Sequence, residues 1–195
     1  QYYTGQAFNI KALTEAAHAV GAYAGFDCAH AAGNIKMELH DWNVDFAAWC
    51  TYKYMNSSPG GVSGIFVHNK HGENLETPRL AGWWGHKESE RFQMKKGFIP
   101  EPGAAGWQLS NAPVLAMAAH KASLDMFDEV GMDALVAKGK KLNVFLEQVV
   151  MDAQTANDKL EFTIITPEER GCQLSMLANE NGKALFDYLT EHDVI

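Results

Sequence analysis

Two residues of the 195-residue sequence are spaced to do chemistry on a ligand. Asp27 closes the apolar run "AYAGFD", and Lys53 follows the apolar run "FAAWC" (Phe46–Cys50) inside "CTYKYMNSSPGG". Lysine is a poor core residue, so an amine delivered from a buried-looking strand is either a loop-edge charge or a reagent. If the two runs are neighbouring parallel strands, both residues reach the same sheet edge, where ligands bind in open α/β folds. An acid and an amine facing one crevice meet the needs of pyridoxal phosphate. The amine forms a Schiff base with the aldehyde, and the carboxylate keeps the pyridinium nitrogen protonated. The same spacing fits a turn-capping aspartate and a surface lysine, and the residues alone leave both readings open.

Other side chains could join them. His30, three residues after Asp27 in "DCAH", could steady the carboxylate or meet a cofactor ring; as an isolated histidine it also fits a structural role. Tyr52 precedes Lys53, and its phenol can bond a phosphate or pass a proton, or simply pack as a strand aromatic. "GWWGH" (Gly82–His86) sets two indoles and an imidazole between glycines. An indole N–H is only a donor and suits an anion, while core packing near a turn is the alternative. Asn111 in "LSNAP" is a natural N-cap, and a helix N-terminus also attracts phosphate. No GxGxxG, GxxxxGK[ST] or GxSxG is present, and Asp41 with Asp45, and Glu88 with Glu90, read as solvated faces.

The elements that must position these residues follow from periodicity. "FNIKALTEAAHAVG" predicts a helix with Ile10, Leu13, Ala17 and Val20 on its apolar face and a stop at Gly21. Strands follow at "AYAGFD", "FAAWCTYK" and "VSGIFVH" (Val62–His68). The first two form a parallel pair, whereas the loop from Lys53 to Gly61 is too short for a crossover, so strands 46–51 and 62–68 are expected to be antiparallel neighbours. Beyond His71 come loops rich in Gly, Pro and Trp. A helix opens at Asn111-Ala112-Pro113 with Leu115, Ala118, Leu124 and Phe127 on its apolar side. Another covers about Met132 to Ala153 with Leu135, Leu142, Phe145 and Val149. "EFTIITP" and "CQLSMLA" predict strands and "GKALFDYLTEHDV" a helix.

Composition bounds the function. The chain is 47% hydrophobic and 21% charged, a globular balance, with a net charge of −8 that argues against a nucleic-acid partner. The basic cluster Lys138, Lys140, Lys141 reads as a solvated helix face. Three dispersed cysteines without metal spacing read as reduced thiols of a cytoplasmic protein. No apolar run approaches the ~20 residues that span a bilayer, so no membrane partner is expected. "QYYTGQ" and "TEHDVI" read as cuts through a longer polypeptide.

Taken in order, "DCAHAAGN", "LHDWNVDFAAWCTYKYMNSSPGG", "GWWGH", "QLSNAP" and "RGCQLSM" resemble the kynureninases, pyridoxal-phosphate hydrolases with the fold of the aspartate aminotransferase superfamily. The resemblance runs over essentially the whole chain. It implies an α/β fold: residues 1–110 as part of a fold type I, pyridoxal-phosphate-binding large domain with a mainly parallel sheet, then residues 111–195 as connecting helices and part of an α+β small C-terminal domain. It implies hydrolysis of L-kynurenine or 3-hydroxy-L-kynurenine to L-alanine and an anthranilate, in tryptophan catabolism and NAD biosynthesis, by a cytoplasmic homodimer. It gives Lys53 as the Schiff-base lysine and Cα base, and Asp27 as the pyridinium partner with His30 beside it. Tyr52 becomes a phosphate ligand and proton donor, Trp83 and Asn111 cofactor-site positions, and His86 with Asn111 the substrate side. The loop that cradles the cofactor phosphate and the arginine that binds the substrate carboxylate fall outside these 195 residues in the family pattern, so the isolated chain is expected to have little or no activity. Another enzyme of the superfamily, an aminotransferase or cysteine desulfurase, and a non-catalytic remnant are the competing readings. Cys172, placed within a predicted strand, disfavours the desulfurase.

Overall fold

A computed structural model describes residues 1–157 and 161–194. The chain divides into two compact units, Asn9–Met132, and Gln1–Phe8 with Asp133–Ile195.

The first unit opens with helix α1, Ile10–Ala19. Asn9 caps it, its side chain accepting from the Ala12 N–H at 3.0 Å. Gly21, at φ +75°, ends it in a left-handed turn: the Gly21 and Ala22 N–H groups donate to the carbonyls of His18 and Ala17, both at 3.0 Å. The buried stripe is not the expected one. Ile10 and Thr14 face inward, whereas Leu13 and Val20 are 47% and 81% exposed. His18 explains the rotation, because its ring bonds the buried Asp45.

Strands β1 (Gly25–Asp27), β2 (Phe46–Cys50) and β3 (Ser63–Val67) form one sheet in that order. β1 runs parallel to β2 with Asp27 opposite Ala48, and β2 runs antiparallel to β3 with Cys50 opposite Ser63. The expected pairings hold, and this sheet is mixed rather than mainly parallel. β2 stops at Cys50, so Thr51, Tyr52 and Lys53 lie in the turn and not on the strand. Val44 and Ala47 from β2 and its approach join Ile10, Cys28 and Leu39 in the buried core. Two one-turn helices follow, α2 (Asn69–Gly72) and α3 (Glu88–Arg91), then a 3-10 turn at Gly103–Trp107 and helix α4, Val114–Val130. On α4, Leu124 and Phe127 are half-buried as expected, Leu115 and Ala118 are exposed, and the one fully buried residue is Ser123.

The second unit carries helix α5 (Met132–Ala156), the antiparallel strands β4 (Phe162–Ile164) and β5 (Met176–Ala178), and helix α6 (Gly182–Glu191). The expected apolar residues Leu142, Phe145 and Val149 are 58%, 67% and 46% exposed. The ridge that turns inward instead carries Gly139 and buried Asn143, whose amide accepts from Arg170 Nε at 2.6 Å and donates to the Cys172 carbonyl at 3.0 Å. Cys172 lies outside β5 and is exposed, so the strand expected over it is shorter than the sequence suggests. Among the described residues no helix is long and apolar enough to cross a membrane.

Candidate active site

Parallel pairing sets the first requirement. Cys28 N–H continues the β1–β2 ladder by donating to the Ala48 carbonyl at 2.8 Å, which brings the Asp27 end of β1 level with the last turn of β2. Asp27 is exposed at this edge, and its Oδ1 accepts the Ala29 N–H at 2.8 Å in a tight Asx turn. The chain from Cys28 to Ile35 then coils, with Ala31 and Ala32 N–H groups both donating to the Cys28 carbonyl at 2.9 Å. This coil lifts His30 to the same edge. Burial pushes the His30 imidazole below its ordinary value; the positive charge of Lys53 pushes the same way, and Asp27 opposes them. His30 therefore lies within electrostatic reach of both Lys53 and Asp27.

Packing joins the two loops. The His30 ring meets Tyr54 edge-on at 5.8 Å. Gly33, at φ +81°, lies so close that a Cβ there would fall 2.8 Å from the Tyr54 carbonyl oxygen. Only glycine meets both demands. Lys53 is half-buried, and Tyr52 is 52% exposed, its phenol pushed up by hydrogen bonding and charge from Cys50. Buried Cys28, beside Asp27, is a poor nucleophile: burial, then the Asp27 charge, push its thiol up to about 11.

Of the remaining expected site residues, Trp83 and His86 lie together in a second cluster. Gly82 and Gly85 let the "GWWGH" loop touch the backbone of Gly106–Leu109; a Cβ on Gly82 would lie 2.4 Å from the Leu109 Cα, and one on Gly85 2.8 Å from the Gln108 oxygen. Asn111 is two residues beyond that contact. It is exposed and does not cap α4, whose N-cap is Pro113. His86 Nδ1 accepts the Ile99 N–H at 3.2 Å, which leaves Nε2 as the ring's donor atom. Arg91 braces the loop: its Nη2 donates to the Trp84 carbonyl at 2.9 Å and the His86 carbonyl at 3.1 Å, and its guanidinium sits 4.7 Å over the Trp84 ring. Trp83, His86, Glu90, Arg91 and Phe98 line a cavity of about 350 Å³. Among the described residues no hydrogen bond or ring contact joins Lys53 to Trp83, His86 or Asn111.

Asp45 was expected on a solvated face and is instead 2% exposed. Its Oδ2 accepts His18 Nε2 at 2.8 Å and the Ala24 N–H at 2.6 Å, and its Oδ1 meets His71 Nε2 at 2.6 Å and Lys70 Nζ at 2.7 Å. Burial alone would raise this carboxyl; the bonds from His71, Lys70, Ala24 and His18 outweigh it and hold it well below the usual carboxylate range. The signal was in the sequence: an acid immediately before an apolar strand, and "HNKH" (His68–His71) immediately after the next one.

A mixed α/β sheet thus carries an acid, an imidazole and an amine toward one edge, the kind of edge at which open α/β folds bind ligands. The chain belongs to the aminotransferase class-V family, which it matches over residues 2–175. It is 53% identical over 197 residues to a kynureninase of Flavobacterium psychrophilum and 54% identical to one of Flavobacterium johnsoniae, in each case across 100% of this chain and 46% of the relative. It is 51% identical to kynureninase 1 of Aspergillus clavatus, across 90% of this chain and 39% of the relative. The chain thus spans about half the length of the curated relatives it matches. Among solved structures it resembles the cysteine desulfurase CsdA of Escherichia coli, with a TM-score of 0.75, 15% identity, and coverage of 99% of this chain and 45% of that one. It also resembles the enzyme C-DES with glycine covalently linked to its pyridoxal-phosphate cofactor, with a TM-score of 0.74, 14% identity, and coverage of 99% and 49%. At such identities the likeness is one of fold.

Proposed function

We propose that the protein containing this chain is a pyridoxal-phosphate-dependent hydrolase that cleaves L-kynurenine or 3-hydroxy-L-kynurenine to L-alanine and an anthranilate. The observation that carries the proposal is identity of 53–54% to kynureninases along the whole chain, coinciding with the gathering of Asp27, His30 and Lys53 at one sheet edge. The residues present fit the cofactor. A carboxylate with one oxygen committed to the Ala29 N–H offers the other to a ring nitrogen, and a half-buried amine lies within electrostatic reach of the same imidazole. Bound there, pyridoxal phosphate supplies an aldehyde for the amine and a ring that stores the electrons of a broken bond.

Each chain residue then has a part. Lys53 is the amine that holds the cofactor, and once freed it moves the substrate Cα proton. Asp27 keeps a proton on the ring nitrogen, and His30 orients that carboxylate. Tyr52, its phenol shifted toward the protonated form, donates to the cofactor phosphate and to the carbon that becomes the alanine methyl. Trp83 and Asn111 donate N–H groups to the cofactor, and His86, with its Nε2–H, donates to a substrate oxygen beside Asn111. Among the described residues no hydrogen bond or ring contact joins them to Lys53, and the reading includes a homodimer in which one subunit's loop serves the other's site. The same reading places the protein in the cytoplasm, in tryptophan catabolism leading to NAD. It divides the longer protein into a large domain containing residues 1–110 and a small domain containing part of 111–195.

In the full-length protein, Lys53→Ala is expected to abolish the visible cofactor absorption and anthranilate release together. Full kynurenine cleavage by that variant refutes the assignment. A keto acid or a persulfide as the product points to an aminotransferase or a desulfurase instead.

A further inference from the structure

The loop that presents Lys53 is closed by two side-chain hydroxyls, and we propose that Thr51 and Ser57 are positioning residues for the Lys53 amine. The inference rests on the role given above to Lys53. Both side chains are fully buried, at 0% exposure, although Tyr52, Asn56 and Ser58 beside them are exposed. Their oxygens lie 2.5 Å apart, and the Thr51 hydroxyl also donates to the Val62 carbonyl. A hydroxyl has one proton. Thr51 spends its own on Val62 and so accepts from Ser57, giving a directed relay from Ser57 through Thr51 to the start of β3. The Ser57 N–H donates to the Thr51 carbonyl at 3.1 Å, so backbone and side chain clamp the same two residues. Inside the clamp, the Asn56 N–H donates to the Lys53 carbonyl at 3.1 Å, which makes Lys53 the first residue of a tight turn.

The closed loop is strained and crowded. Asn56 and Ser58 hold φ of +53° and +74°, a left-handed conformation uncommon for serine, and such residues persist only where their surroundings over-determine them. Gly61 leaves no room for an alternative: a Cβ there would lie 2.1 Å from Ser57 Oγ and 2.9 Å from Thr51 Oγ1. From outside, Gly33 presses on the Tyr54 carbonyl and the buried Ser123 of α4 donates to the Met55 carbonyl. The loop is therefore braced on both flanks, but its closure depends on the two hydroxyls. Removing them leaves the Val62 carbonyl without its partner and frees the strained residues to relax. The Lys53 amine then loses its fixed approach, and misplacement by about 1 Å costs up to ~100-fold in rate.

The test uses the full-length protein stripped of cofactor. Pyridoxal phosphate is added, the Lys53 imine is reduced with borohydride at timed intervals, and peptide mapping reads the fraction modified at Lys53. Thermal unfolding is recorded alongside. Thr51→Val, which keeps the shape and removes the hydroxyl, is expected to slow modification of Lys53 by about tenfold, and Thr51→Ser to restore it to within about twofold. Equal rates for wild type and Thr51→Val overturn the inference, as does a Thr51→Ser variant as slow as Thr51→Val. If Thr51→Val fails to fold, Ser57→Ala decides: slowed modification supports the positioning role, and an unchanged rate overturns it. A wild-type protein never modified at Lys53 overturns the cofactor role of Lys53 as well, whereas modification at equal rates in all variants removes only the positioning role.

Discussion

Replacing Asp45 by Asn tests whether the start of β2 is fixed by one buried charge. The carboxylate accepts from four donors. The amide must turn its NH₂ toward either the Ala24 N–H and His18 or toward His71 and Lys70. The Ala24 N–H is buried backbone and cannot move, so the cheaper orientation keeps Oδ1 on Ala24 and His18. His71 must then present an unprotonated Nε2, and Lys70, whose side chain is 32% exposed, turns to solvent. The Lys70 pair is screened and counts for less than about 1 kcal/mol. Loss of the charge-assisted bond to His71, together with a weakened bond to His18, costs about 2–3 kcal/mol at typical strengths. Asp45→Ala leaves the buried Ala24 N–H without a partner and takes the carboxylate from His18, His71 and Lys70, at a cost of about 4 kcal/mol. Urea unfolding of the chain, followed by circular dichroism, measures both. The pH dependence has a defined sign. The folded carboxyl is held below its ordinary value, so its contribution is complete above about pH 4 and is lost as pH falls toward the depressed folded value. Asp45→Asn is therefore expected to flatten the acid limb of the stability profile. An Asn variant within about 0.5 kcal/mol of wild type, with an unchanged acid limb, refutes the reasoning.

Two further perturbations address the site itself. Gly33→Ala introduces a Cβ 2.8 Å from the Tyr54 oxygen at φ +81° and is expected to destabilise the chain by about 2–3 kcal/mol; a variant as stable as wild type in urea means the two loops do not pack as described. Arg91→Lys keeps the charge but loses the planar group that reaches two carbonyls and stacks on Trp84. It is expected to shift indole fluorescence and weaken substrate binding severalfold in the full-length protein, with Lys53 modification unchanged. Unaltered fluorescence and unaltered KM together argue against the brace.

The elements nearest Asp27 and Lys53 were legible in the sequence, and the outward faces of the helices were not. The β1–β2 pairing follows from short apolar runs too far apart for a hairpin, and the β2–β3 pairing from a loop too short for anything else. Asp27 and Lys53 were readable because a charge at the end of an apolar run is conspicuous. Asp45 has the same form but reads as solvated, since its partners His18, Lys70 and His71 lie 25 to 27 residues away in sequence and only the sheet collects them. The α5 stripe failed for a related reason. Periodicity locates an apolar face, yet the ridge that turned inward follows Asn143, whose bonds to Arg170 and Cys172 no spacing rule reports. Thr51 and Ser57 carry no sequence signal, because small hydroxyls in a turn rich in Gly and Pro are ordinary turn composition.

β2 is held at both ends, and the two anchors act on one quantity, its register against β1. Asp45 fixes the entry through His18 of α1 and the Ala24 N–H just ahead of β1. Thr51 fixes the exit through Ser57 and Val62. Between them lie five strand residues, Phe46–Cys50. A slip of one residue against β1 moves Lys53 by about 3.3 Å and turns every side chain of β2 to the opposite face. Asp45 would then point its carboxylate away from His18 and His71, and Ala47, now at 2% exposure, would leave the core. The buried charge thus penalises the wrong register more heavily than the apolar residues alone can, because Ala47 and Ala48 are the same size and tolerate exchange. On this account Asp45→Asn should also slow modification of Lys53 by pyridoxal phosphate under conditions where the variant remains folded, although Asp45 touches none of the site residues. A variant that is destabilised as calculated, yet modified at the wild-type rate, separates the stability of the sheet from the aim of the lysine and leaves register control to Thr51 alone.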